Sequence, residues 1–162
     1  MEKKDFLKQL RGFFSEKGFS NKGNHYYKAL NDETVIVFGL QFTAYGGDYC
    51  YLDHGYCFNS INRYLPHPKF HQLNMNCGRI MTSQGQAIEY ETVDPELLEN
   101  IKRCIEKEID VMTKLISLNR EALIQYYLSG KHKGSWYILG DASAEYFGLS
   151  RNAFAGHFVL DE

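Results

Sequence analysis

Charge of one sign, long apolar runs and recognisable catalytic signatures are all missing from this chain. Eighteen Lys and Arg oppose twenty Asp and Glu, for a formal charge of −2. A domain that grips a nucleic-acid backbone usually shows a basic excess, so no nucleic-acid partner is expected. No stretch approaches the ~20 apolar residues that span a bilayer. The N-terminus leads into an amphipathic run and lacks the apolar core of a signal peptide. Cys50, Cys57, Cys77 and Cys104 contain no C-x-x-C pair. The expectation is therefore a cytoplasmic protein with reduced thiols and no membrane partner. There is no G-x-S-x-G elbow, P-loop or G-x-G-x-x-G. Neither an enzymatic activity nor a cofactor is expected.

What is present is an ordinary globular composition. Hydrophobic residues make up 44% and charged residues 23% of 162 residues, which excludes wholesale disorder and suits one domain. The charge is uneven, because the first 28 residues carry seven basic and three acidic side chains. A solvated helix face accounts for that.

Phe6, Leu7, Leu10, Phe13 and Phe14 fall at helical spacing, so residues 4–17 read as a helix closed by Gly18. Residues 20–24 read as a turn. Residues 25–30 read as a short strand, and 34–43 (TVIVFGLQFT) as a central strand buried on both faces. Tyr45-Gly-Gly-Asp-Tyr49 reads as a hairpin turn into a partner strand over 49–59. Residues 60–76, with Pro66 and Pro68, read as a long loop. Residues 77–82 and 87–92 read as a further hairpin.

Asp94-Pro95 is a helix start, followed by a stripe from Leu97 through Ile116. Asn119 caps another helix that Gly130 ends. Asp141 and Ser150 are candidate caps of two short final helices. Strands in a block and helices in a block imply an α+β fold. It would be an antiparallel sheet of about five strands covered on one face by helices. Residues 1–130 form the expected core domain, and 131–162 a C-terminal helical extension packed on it.

Cys50, His54, Cys57 and Cys77 are metal-ligand types in one region, but their spacing fits no zinc signature. They read as buried free cysteines beside a histidine, so no metal is expected. His67 and His71 read as loop histidines. Asp53 and His54 are adjacent on a strand and point to opposite faces, so Asp53 cannot orient His54 in a triad. Residues 144–154 resemble a helix-turn-helix core, yet only Arg151 is cationic over 141–162. A packed helical corner explains them better.

Tyr45, Tyr49, Tyr51, Tyr56 and Tyr64 cluster around the central hairpin. Tyrosine offers contact area at low entropy cost plus a hydroxyl, so these form a candidate binding surface. Asp48, Asp53, His54 and Asn59 supply polar groups beside them. Gln41, inside an apolar strand, reads as a buried structural anchor. Two functions follow. One is a non-enzymatic binding protein that occludes a protein partner. The other is a small-molecule site or unrecognised enzyme, with a pocket between sheet and helices lined by His54, Asp53 or His25.

Over roughly residues 4–62 the chain resembles an uncharacterised bacterial family, a domain of unknown function. The pattern is an amphipathic helix, Gly18-Phe19, Lys22-Gly23, Tyr26-Tyr27, then a strand containing Gln41. That family has no established catalytic residues. Its loose similarity to toxin-immunity proteins implies a binding role with a protein partner. The oligomeric state is left open.

Overall fold

The computed structural model describes residues 1–44, 47–63, 65–132 and 134–149, together with the backbone of 159–160. The amphipathic start forms α1 (Lys3–Glu16), which buries Phe6, Leu10, Phe13 and Phe14. Gly18 follows at φ +81°, where a residue without Cβ closes the helix at no steric cost. The chain then runs through β1 (Ser20–Lys22), β2 (His25–Ala29), β3 (Thr34–Phe42) and β4 (Tyr49–Phe58) as one antiparallel meander. β1 lies where a turn was expected. Its three residues are all exposed, so no apolar pattern marks it.

Residues 60–76 are more ordered than a loop. They hold the end of α2 (Asn59–Asn62), a 3-10 turn at Phe70–Gln72 and the first residues of β5 (Met75–Arg79). β5 and β6 (Ile88–Glu89) do not form the expected hairpin. Each pairs instead with β4, β5 along residues 53–56 and β6 at Tyr49 and Cys50. β4 is ten residues long, so one edge accommodates both short partners.

α3 (Pro95–Leu118) and α4 (Arg120–Leu128) match their expected caps. Asp94 Oδ1 accepts from the Leu97 amide at 2.8 Å, and Asn119 Oδ1 from the Ala122 amide at 2.7 Å. The segment after residue 130 is not purely helical. β7 (Tyr137–Leu139) adds to the sheet beside β5, and β8 (Val159–Leu160) runs parallel to β7. α5 (Gly140–Tyr146) starts at Gly140, so Asp141 sits inside its first turn and does not cap it. The second final helix, expected from Ser150, lies outside the described residues, as do residues 150–154 of the helix-turn-helix resemblance.

The fold is α+β, with a sheet ordered β1-β2-β3-β4-β5-β7-β8 and β6 against β4. Eight strands are described, rather than about five. α1, α3 and α4 cover one face, and their side chains interlock with Tyr26, Ile36, Phe38, Leu52, Tyr56 and Met75 in the main core. The other face carries a smaller cluster of Val35, Val37, Cys57 and Leu73, with Phe70 and Leu139 against it. The segment between β4 and β5 therefore covers part of the second face. It leaves the β4–β5 region near Asp53 uncovered by any helix.

Candidate functional site

Strand alternation divides β4 into two chemistries. Cys50, Leu52, His54, Tyr56 and Phe58 turn toward the helices. Tyr49, Tyr51, Asp53, Gly55 and Cys57 turn to the outer face. The neighbours Asp53 and His54 thus look into different spaces.

On the outer face a hollow of about 260 Å³ is lined by Gln41, Asp53, Asn76, Arg79, Gln86 and Tyr137 among others. Asp53 is 5% exposed, and its carboxylate oxygen lies 3.5 Å from Arg79 Nε. Burial pushes the Asp53 carboxyl up against the pull of Arg79 and His54. The Arg79 guanidinium stacks 3.9 Å above the Tyr51 ring. Asn76 Nδ2 donates to the Tyr137 hydroxyl at 2.6 Å.

The register makes this possible. Asp53 pairs with Arg79 and Gly55 with Asn76, so Cys77 is the extra residue of a β-bulge. Gly78 takes φ +90° beside it. Cys77 is driven into the core, while Asn76 and Arg79 remain on the outer face.

On the helix side a second cleft of about 450 Å³ opens between the end of β5, α3 and α4. Glu108 and His132 line it, with Lys107 and Lys131 beside them. His54 lies behind Glu108. It is 1% exposed and stacks on Phe38, with ring centroids 5.5 Å apart. Neither ring nitrogen has a hydrogen-bond partner. Nε2 stands 3.5 Å from Glu108 Oε2, too long for a well-formed hydrogen bond. Burial pushes the Glu108 carboxyl up, but His54, His132 and Lys107 together outweigh it and hold the carboxyl below its ordinary range. Burial, with His54 close by, lowers His132 against the opposite pull of Glu108 and the Cys77 backbone. Cys77 and Tyr127 lie deeper, and burial raises both well above their ordinary values. A thiol so placed is held neutral and is no nucleophile.

The expected site residues are therefore split. Asp53 lines the outer hollow, Tyr51 flanks it through Arg79, and Tyr49, 41% exposed, shares their strand face. Asp48 lies just before β4, where its carboxylate accepts from the Tyr90 hydroxyl at 3.1 Å. Tyr56 is fully buried, and its hydroxyl donates to the Met112 carbonyl at 3.2 Å, so it supports the core and presents no surface. His54 belongs to the helix side. Tyr45 and Tyr64 lie outside the described residues. Gln41 is not a buried anchor, for it is exposed and lines the hollow. His25 is on the outer face, beside Gly39 and Phe70, and not in the helix-side cleft. His67 Nδ1 meets the Tyr27 hydroxyl at 2.6 Å.

All four cysteines are free. Among the described residues no group of His, Cys, Asp and Glu could hold a metal ion. No described helix is long and apolar enough to cross a membrane.

Arg79, Glu108 and His132 had no place in the sequence reading. Glu108 carried a signal, because it stands seven residues after Ile101 and four before Met112, inside the buried stripe of α3. A carboxylate there has to meet a partner. Arg79 and His132 carried none, since each depends on long-range pairing.

No curated protein and no solved structure matches this chain. Residues 10–147 match the family described as Domain of unknown function (DUF4304), and over that span, which takes in both the hollow and the cleft, the chain belongs to that family.

Proposed function

We propose that this chain is a non-enzymatic binding protein that recognises a protein partner through the outer face of β4, as an immunity-type inhibitor of a bacterial toxin would. One observation carries the reading: a nearly buried carboxylate, Asp53, stands in a polar hollow of about 260 Å³. Cofactor and drug-sized sites run from about 300 to 1,000 Å³, so this hollow better suits one inserted side chain. Its occupant would be cationic or rich in N–H groups, because an incoming donor would relieve the unfavourable burial of the Asp53 charge. Tyr51 holds Arg79 in place by stacking. Tyr49 extends the contact area along the same strand.

The test is capture of partners from the native cells by tagged protein. A protein retained by the wild type and by Tyr56→Phe is expected to be lost with Asp53→Asn combined with Tyr51→Ala. Equal retention by the double variant would refute this surface.

A second reading is favoured by the helix-side cleft, where Glu108 and His132 meet in a space of about 450 Å³. That volume suits a small molecule. Ligand-induced thermal stabilisation sensitive to Glu108→Gln and indifferent to Asp53→Asn would support it. The reverse pattern would return the weight to the outer face.

A further inference from the structure

We infer that the helix-side cleft binds a small organic acid that also carries a hydrogen-bond donor, such as a hydroxy acid. This rests on the second reading above and names its ligand chemistry. The charges set the class. Lys107 and Lys131 line the cleft, and among the described residues neither makes an ion pair. Arg79, the third cation at this cleft, is occupied on its other side by Asp53 and Tyr51. Both are exposed and Lys107 also faces Glu108, but two ammonium groups without an ion pair at one cleft favour an anion. Ile80 and Val111 give an apolar wall for a short carbon chain.

Glu108 then decides between acids. Its carboxylate would repel a bare anion placed beside it, and it can accept a hydrogen bond from a hydroxyl or ammonium. The His54 ring stands 3.5 Å behind it, with both nitrogens buried and unpaired. His54 is thus a positioning residue that favours the ionised carboxylate. Glu108 is half-buried, and an acceptor aimed at the ligand discriminates against an analogue that lacks the donor, because that hydrogen bond is then lost.

The test uses lactate, propionate and 1-propanol as probes of the full chain, read by the NMR signals of the His132 ring. Lactate is expected to shift these signals and to bind about tenfold more tightly than propionate. Glu108→Ala, which removes the acceptor, is expected to erase most of that preference while propionate binding persists or strengthens. Lys107→Ala with Lys131→Ala is expected to weaken lactate about tenfold or more. Equal binding of lactate and propionate by the wild type would overturn the donor requirement. If 1-propanol shifts the ring and neither acid does, the acid is wrong while the cleft stands as a ligand site. If no probe shifts it, the second reading falls with the inference.

Discussion

A Cβ built on Gly78 would lie 2.2 Å from the Ser135 carbonyl oxygen, and φ there is +90°. Crowding and backbone strain act together at the bulge that sorts the two sites. Gly78→Ala is expected to destabilise the fold by about 3 kcal/mol, read as a lower urea midpoint. A change below about 0.5 kcal/mol would show that the bulge relaxes freely.

His132 supplies a second prediction at this scale. Its folded value lies below the ordinary 6.5, first through burial and then through His54. The unfolded chain thus takes up the proton at higher pH than the folded one, and stability falls as pH drops below 6.5. Glu108 adds in the same direction at lower pH. Its folded carboxyl is depressed, so its contribution is present above 4.5 and lost as pH falls through the folded value. His25 is lowered too, by burial and by Lys69 and His71, so the comparison must be differential. His132→Phe is expected to flatten urea stability just below pH 6.5 relative to wild type. Parallel curves would assign the slope to other groups.

Half of the candidate chemistry was readable one residue at a time. Alternation alone separates Asp53 from His54, and tyrosine density alone points to β4. The partners were hidden because each comes from another element. Arg79 meets Asp53 only through the shifted register of β5, and His132 meets His54 only after α2, α3 and α4 intervene.

Among the elements, α3 was the most legible. Its capping acid, N1 proline and apolar stripe agree in place and period. Asp94→Ala removes the bond to the Leu97 amide and is expected to cost about 1 kcal/mol of stability, measured by urea unfolding. No loss would mean that Pro95 and packing alone hold the helix start. β3 was equally clear, since seven of its nine residues are buried and the run is nearly all apolar. The short strands were not. β6 has two residues and β7 three, too few for a period to register. Their pairing is decided by the free edges of β4 and β5. The 60–76 segment misled for a related reason. Phe70 and Leu73 look scattered in sequence, yet both pack on the small cluster with Val35 and Val37.

For the whole molecule, the final segment is bound into the architecture. Trp136 and Ile138 are buried in the main core, and Tyr146 stacks on Phe58 with centroids 4.5 Å apart. Ending the chain at Gly130 would uncover Phe58, Met75 and the edge of β5. Such a truncation is expected to lose cooperative unfolding and dispersed NMR signals. A well-dispersed spectrum with an unchanged urea midpoint would show that residues 1–130 stand alone. The α+β class itself followed from block order, which depends on no single contact.

The single added residue at Cys77 fixes parity in β5. With it, Asn76 and Arg79 both reach the outer hollow while Met75 and Cys77 fill the core. Deleting Cys77 would leave Asn76 and Arg79 two apart, so a regular strand would keep both on the outer face, whereas straightening the bulge at its present length would carry a guanidinium into oil. The stretch between Asn76 and Arg79 is therefore a place where one residue can be lost while the two faces stay sorted.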